Sequence, residues 1–333
     1  GLGTAGKHYL DILIVKKNIK LFIIDKISLP FSNQYEQITF EDIIKKEIFF
    51  KFAIIASPSG MHFNHALFFL KRGSNILIEK PFVLNLNHAR KLIKISKEKK
   101  LKCWTSLQNR YNLATSKLRS EINSKTIGKI GLVDCTMLWH RNKKYYSNNW
   151  RGKYASDGGV LTNQAIHLLD TLVYNFGSIS KFDVFASFDK KKLQAEDLII
   201  INFKHTNGIL SSFKATTRAN NNYRSAIDII GDKGRIIVKG VSLNTFNKFK
   251  NDELVLYKKF SENFGENLGA AGGMGLGHTK ILNEFLKHNK KSSRHLEIEY
   301  NYYLLKLIHS IYNNIQLRKK FNKVSDKQSI LGK

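Results

Sequence analysis

The chain has 333 residues, 42% of them hydrophobic, and its 55 Lys and Arg against 26 Asp and Glu give a formal net charge of +29. The length suits two domains, each able to bury its own core, and no apolar run approaches the ~20 residues of a membrane span. Only 11 of the basic residues are Arg, the side chain whose fork reads base edges, and the lysines are scattered. Neither nucleic acid nor a membrane is therefore expected as a partner.

The first hundred residues alternate strand-like and helix-like stretches. Residues 20–25 (KLFIID) read as a strand, 40–46 (FEDIIKK) as a short helix and 51–57 (KFAIIAS) as a buried strand. Residues 61–73 read as a helix ended by Gly73, 75–81 (NILIEKP) as a strand, and 85–100 as an amphipathic helix. Strands alternating with helices imply a parallel, doubly wound sheet. After residue 104 the pattern changes. A helix at 112–123 and a strand at 130–140 precede a helical stretch at 158–177. Strand-like runs follow near 180–188, 196–204, 208–217, 225–231 and 234–239, and helices near 277–288 and 297–316 close the chain. The expected fold is an α/β Rossmann domain over residues 1–104. An α+β domain with a large, mainly antiparallel, open-faced sheet is expected over 105–333.

The chain opens on G-x-G-x-x-G, formed by Gly1, Leu2, Gly3, Thr4, Ala5 and Gly6. This pattern lets a backbone approach a pyrophosphate at a helix N-terminus. Asp25, about 20 residues on, stands where a carboxylate accepts from a ribose 2′-hydroxyl. An acid there repels a 2′-phosphate, so NAD is expected over NADP, although Lys26 lies alongside. The strand that such a site needs would precede Gly1, so a fragment or a misassigned start is expected. Two further stretches fall at strand ends, where open α/β sheets bind ligands. These are SPSGMH (57–62), with Ser57, Pro58 and His62, and EKP (79–81), with Glu79 and Lys80. Cys103 and Cys135 lack metal-ligand spacing. They read as free thiols in a reducing, cytoplasmic setting, and no metal is expected.

Gly159, Asn163 and His167 recur every four residues, so a continuous helix would place them on one face. A histidine at neutral pH suits a general base. His205 and His309 read instead as packing histidines. Arg110 and Arg151 are candidates for a carboxylate or a phosphate, or for structural ion pairs.

The opening fingerprint, SPSGMH, IEKPF, DGGVLTNQAIHLLD, AEDLIIINF (195–203), IIGDKGRI (229–236) and GLGHTKILNEFL (275–286) together resemble the Gfo/Idh/MocA family of NAD(P)-dependent oxidoreductases. The resemblance runs nearly end to end. It implies a Rossmann domain joined to an open-sheet domain, with substrate held between sheet and nicotinamide. It further implies that Lys80 and His167 are catalytic, with a cis Lys80–Pro81 bond suggested by the turn. Many members carry Asp where this chain has Asn163, which can hydrogen-bond a sugar hydroxyl but cannot act as a base. LQNRYN (107–112) and YYSNNWRGKYASDGGVLTNQAIHLLD (145–170) resemble the sugar-nucleotide branch. Members of that branch oxidise the C3 hydroxyl of a UDP-N-acetylglucosaminuronate-like sugar on the way to 3-amino sugars of surface polysaccharide. That resemblance implies a nucleotide-sugar substrate met by Arg110 or Arg151, with Gln108, Asn112, Tyr154, Asn163, Gln164 and His167 as contacts. Trp150 would shield the pocket or pack. A homodimer or homotetramer through the open sheet is also implied.

Overall fold

A computed structural model describes residues 1–147, 150–189, 193–240, 243–251, 253–259, 277–287 and 293–317. Helix α1 (Thr4–Leu13) follows the glycine loop. The parallel strands are β1 (Phe22–Ile23), β2 (Glu36–Gln37), β3 (Phe52–Ile55), β4 (Asn75–Glu79) and β5 (Cys103–Ser106). Between them run α2 (Phe40–Lys45), α3 (His62–Lys71) and α4 (Leu86–Glu98). Strands β1 and β2 form one parallel ladder and β3–β4–β5 another.

The alternation along β4 shows why helices cover both faces. Ile76 and Ile78 join a core with α3, α4 and residues of a C-terminal helix, whereas Leu77 points into a second core with Tyr9 and Leu13 of α1. Each such side chain contributes about 1.5–3 kcal/mol when fully buried. A strand buried on both faces must be apolar throughout, which is how 75–79 reads.

Helix α5 (Leu113–Asn123) leads into β6 (Ile130–Leu138), followed by α6 (Lys143–Tyr146), α7 (Val160–Asn163) and α8 (Ile166–Phe176). Strands β7 (Ile179–Ser187), β8 (Leu198–His205), β9 (Leu210–Thr216), β10 (Arg224–Gly231), β11 (Gly234–Lys239), β12 (Thr245–Lys250) and β13 (Glu253–Lys259) complete an eight-stranded sheet. Its order is β13-β12-β11-β10-β6-β9-β8-β7, antiparallel except for β6–β9. Along β8, Ile199, Ile201 and Phe203 are buried against the helices and Ile200 is exposed. This one-sided pattern makes the sheet half open. Strands β2, β5, β12 and β13 have no counterpart in the sequence reading. Strand β2 is two polar residues and β5 four residues close behind a helix. Lysines break the apolar pattern of β12 and β13, and Lys258 and Lys259 blunt the exposed edge.

Helices α9 (Gly277–Leu286) and α10 (Ile298–Leu317) return to the Rossmann side. Ile281, Leu282 and Phe285 pack with Tyr9 and Trp104, and Ile298 and Leu305 with Ile76 and Ile78. The chain thus re-enters its first domain after building its second. Residues 275–276 of the GLGHTK motif, residue 288 of the expected helix and residues 148–149 of the YYSNNW stretch lie outside the described residues.

Candidate active site

At the N-terminus, Gly3 caps α1 with backbone alone, so no side chain occupies the first-turn N–H groups. A Cβ on Gly3 would meet nothing within 4 Å, whereas one on Gly6 would lie 1.9 Å from the Gly1 carbonyl oxygen. The loop is therefore drawn tight against the helix and open in front of it. Asp25 stands at its lip, accepting from the amides of Leu2 (2.5 Å) and Ile27 (2.9 Å). Partial burial pushes its carboxyl up, but those amides outweigh this and hold it below the usual carboxylate value. A bare helix start, a Cβ-free cradle and an ionised carboxylate fit the pyrophosphate and ribose of a dinucleotide.

Of the other residues expected to meet a cofactor, two are committed to the protein itself. His62 is buried with Nδ1 2.8 Å from the Pro81 carbonyl and Nε2 2.8 Å from the Ser57 carbonyl. It ties the SPSG turn to the EKP turn and leaves no ring nitrogen for a ligand. Glu79 Oε1 accepts from Tyr9 Oη (2.8 Å) and lies 3.3 Å from His278 Nε2, while Oε2 accepts from the Lys80 amide (3.2 Å). Its burial alone would push the carboxyl up, yet His278, Lys80 and Tyr9 together bring it down to about 2. Glu79 is thus a fixed anion that holds α1, β4 and α9 together. Ser57 Oγ is 2.9 Å from His65 Nδ1, and Pro58 opens the short turn before α3.

Lys80 follows at the end of β4, and its bond to Pro81 is cis. The ammonium donates to the Asn163 backbone carbonyl at 2.8 Å. That carbonyl is available because the helix expected over 158–177 is broken. Gly159 is extended, α7 ends at Asn163 and α8 starts afresh at Ile166, so the four-residue spacing does not mark one helix face. At the break Ala165 N donates to the Val160 carbonyl five residues back (2.8 Å), and tethering sets where α7 begins. Val160 N donates to the Glu196 carbonyl (2.8 Å) and Leu161 N to Glu196 Oε1 (2.9 Å), which fixes the start of α7 over β8, while α8 lies across β6. A Cβ on Gly159 would fall 2.2 Å from Glu196 Oε2, so the approach requires glycine.

Burial pushes the Lys80 amine below its usual range, with Glu79 and Asp157 opposing. Burial, and then the Lys80 charge, push His167 well below the ordinary imidazole value, so it is neutral at pH 7. His167 Nε2 lies 3.3 Å from Gln108 Nε2, and His167 Nδ1 and Gln108 Oε1 are buried with no hydrogen-bond partner among the described residues. An amide nitrogen only donates, so in this contact Nε2 of the neutral ring accepts and Nδ1 carries the ring proton. With the amide turned so that Oε1 accepts from Nε2–H, Nδ1 is bare and can take a hydroxyl proton beside the buried Lys80.

Tyr145 forms a wall beside them. Its hydroxyl accepts from Asn163 Nδ2 (3.3 Å) and Gln164 Nε2 (2.9 Å), and the Arg151 guanidinium stacks 3.9 Å above its ring and 4.7 Å above Trp150. Arg151 Nε is buried without a partner among the described residues. Tyr154 is partly exposed, its ring 5.8 Å from that of Tyr312, and Asn112 is buried at the joint before α5. Arg110 does not face the site. It pairs with Asp170 through Nε–Oδ2 (2.9 Å) and Nη2–Oδ1 (2.5 Å) and also donates to Asn301 Oδ1 and the His295 carbonyl. Its donors serve the fold, which is the ion-pair alternative for this residue and leaves Arg151 of the two arginines named from the sequence. A cavity of about 390 Å³ between α5 and α8, lined by Arg110, Arg119 and Tyr174 among others, is separate from Lys80 and His167. His205 and His309 bond main-chain oxygens of Gly177 and Leu84.

Sequence reasoning missed Tyr9, His278, Tyr145, Asp157 and Glu196. Asp157, Tyr145, Glu196 and His278 lie inside the quoted motif stretches, whereas Tyr9 stands outside them, and no local pattern said which of these residues the site would use.

Glu196 carries a pH dependence. Full burial pushes its carboxyl from 4.5 up to about 7. Below pH 4.5 folded and unfolded chains are both protonated there. Between 4.5 and 7 only the unfolded chain ionises, so stability is lost as pH rises, by roughly 3 kcal/mol at ~1.4 kcal/mol per pH unit. Glu196→Gln is expected to gain about that much relative to the parent between pH 5 and pH 8 in urea unfolding. A pH-independent difference would contradict it.

A family model described as oxidoreductase family, NAD-binding Rossmann fold, matches residues 17–107, and one described as GFO/IDH/MocA C-terminal domain matches 115–237. The chain belongs to the Gfo/Idh/MocA oxidoreductase family. Its first domain is accordingly of the NAD(P)-binding Rossmann type. Among curated relatives, oxidoreductase P35 of Formosa agariphila is 28% identical over 129 residues, 38% of this chain and 40% of its own. D-glucoside 3-dehydrogenase of Escherichia coli is 25% identical over 126 residues, 37% of this chain and 35% of its own. The chain thus spans well under half the length of these two relatives. The WlbA dehydrogenase of Bordetella pertussis, solved with NADH and UDP-GlcNAcA, shares the fold with a TM-score of 0.77 at 22% identity, over 95% of this chain and 94% of its own. Among the described residues no helix is long and apolar enough to cross a membrane, and no group of three or more His, Cys, Asp or Glu could hold a metal ion.

Proposed function

We propose that the chain is an NAD-dependent dehydrogenase that oxidises the C3 hydroxyl of a nucleotide-linked sugar of the UDP-N-acetylglucosaminuronate type. The observation that carries the reading is the buried Lys80, held to the Asn163 carbonyl, beside a neutral His167 whose Nδ1 has no hydrogen-bond partner among the described residues. The narrower substrate is supported by the sugar-nucleotide motifs and by the fold shared with WlbA.

NAD, when bound, accepts a hydride from the sugar carbon. The open start of α1 and the Gly1–Gly6 cradle hold its pyrophosphate, and Asp25 holds a ribose hydroxyl and disfavours a 2′-phosphate. His167 Nδ1, left bare when the Gln108 amide is turned so that Oε1 accepts from Nε2–H, or a deprotonated Lys80 Nζ takes the hydroxyl proton, and a charged Lys80 steadies the developing alkoxide. Gln108 orients the His167 ring. Asn163 Nδ2 is taken by Asp157 and Tyr145, so Asn163 offers a sugar hydroxyl only Oδ1, with the Gln164 amide beside it. Arg151 and Arg141 are the guanidiniums near Lys80 for a carboxylate or diphosphate. The 3-keto product suits a later transamination to a 3-amino sugar. Cytoplasmic placement is part of this reading, with Cys103 and Cys135 both buried free thiols.

The test is NADH formation with UDP-N-acetylglucosaminuronic acid, with UDP-N-acetylglucosamine, a simple glucoside and myo-inositol alongside. Turnover with the uronate alone supports the reading. Turnover with the glucoside alone favours a free-sugar dehydrogenase, to which the likeness to D-glucoside 3-dehydrogenase also points.

We also propose that copies pair through the open sheet face. Leu210, Leu132 and Ile230 form an apolar row across β9, β6 and β10, and Phe185 lies opposite Ile200. A dimer or tetramer is expected by sedimentation equilibrium, weakened by Ile200→Asp. A monomer would refute it.

A further inference from the structure

We propose that Asp157 is the charge partner of Lys80, coupled to it through Asn163, so that an acid–amide pair stands where a single carboxylate at position 163 would otherwise serve. The kinetic part of this proposal rests on the dehydrogenase reading; the electrostatic part does not.

Asp157 is 3% exposed. Its Oδ1 and Oδ2 accept from Asn163 Nδ2 at 2.7 and 2.8 Å, and Oδ2 also accepts from the Gly152 amide at 3.1 Å. Every one of these partners is an N–H donor, the surrounding that takes a carboxylate rather than a carboxylic acid. Asn163 turns its other end, the backbone carbonyl, to Lys80 Nζ at 2.8 Å. One residue therefore links anion and cation, by side chain on one side and main chain on the other. The turn that carries Asp157 is itself held to the cofactor side, since Gly60 N donates to the Ser156 carbonyl at 3.0 Å.

The charges around the pair leave Asp157 a specific task. Lys80 faces Glu79, Asp157, Arg151 and Arg141, and Asp157 faces Lys80 and Arg151. Glu79 is already bonded to Tyr9, His278 and the Lys80 amide. Burial disfavours both charges, pushing the Lys80 amine down and the Asp157 carboxyl up, and each ion opposes that cost at the other. Without Asp157, Lys80 would face two arginines with only the Glu79 carboxylate to balance them. Asp157 is accordingly a positioning residue that sets how readily Lys80 holds its proton.

The experiment uses the full chain with 13Cε-labelled lysine, following the Lys80 signal by NMR against pH; its absence from Lys80→Met assigns it. In Asp157→Asn the Lys80 midpoint is expected to fall by about one pH unit, and the limb of the kcat/KM profile governed by Lys80 moves with it. In the exchanged variant D157N/N163D the new acid accepts from the new amide, the pair survives with its ends reversed, and the midpoint returns toward that of the parent. An unchanged midpoint in Asp157→Asn overturns the proposal. Should that variant fail to fold, the exchanged variant decides: a midpoint kept near the parent's supports the pairing, and one lowered by a unit overturns it. A midpoint shift in a protein that turns over no sugar upholds the charge pairing and refutes the dehydrogenase reading instead.

Discussion

Lys80→Met is expected to lower kcat by about 10² to 10⁴, the range that a positioned proton-transfer group contributes. The fold should survive. Among the described residues Lys80 makes one side-chain hydrogen bond, to the Asn163 carbonyl, and methionine is of similar length and apolar in a buried setting. Binding of NAD is expected to persist as well, because the glycine cradle and Asp25 lie on separate loops. Circular dichroism, cofactor titration and initial rates on one preparation separate these effects. A variant within tenfold of the parent rate would remove Lys80 from the chemistry and leave His167 as the proton acceptor.

The second large effect falls on stability. In Arg110→Ala the Asp170 carboxylate, itself 2% exposed, loses both of its bonds to the guanidinium, and Asn301 Oδ1 and the His295 carbonyl lose donors. Removing one partner of a buried pair leaves an uncompensated charge and costs about 3–5 kcal/mol. Arg110→Lys should recover little, because a point charge cannot serve three acceptors on different elements. Urea unfolding measures the loss. The folded fraction is expected to keep the parent KM for its sugar, since the side chain faces Asp170 and α10 rather than Lys80. A raised KM with unchanged stability would return Arg110 to the substrate site.

The two polar residues of β2 and the four of β5 gave no signal, but the Rossmann half was legible at β1, β3 and β4, whose sequences are short and apolar, as in NILIEKP. The same holds for the candidate site where the chemistry lies within one motif. Lys80 follows Glu79 directly, and Asn163 and His167 sit four residues apart. Reading that spacing as one helix failed, because periodicity describes an unbroken helix, whereas Gly159 is held out of α7 by a tether from Leu161 to Glu196, 35 residues downstream, and a new helix begins at Ile166. Arg110 shows the same limit from the other side: its motif suggested a ligand, whereas its partners come from α8 and α10.

Periodicity and the spacing of glycine and proline by themselves determined the class of fold and pointed to the candidate cofactor loop, and the motif resemblance singled out Lys80, since all of these depend on neighbours within a few residues. Only the tertiary structure decided that His62 and Glu79 serve the framework, that Glu196 bends the chain before Asn163, and that Asp157 and Lys80 meet through one residue. Hydrogen-bond partners and burial are set by segments that return from far along the chain, and no local pattern records which of them will close on a given side chain.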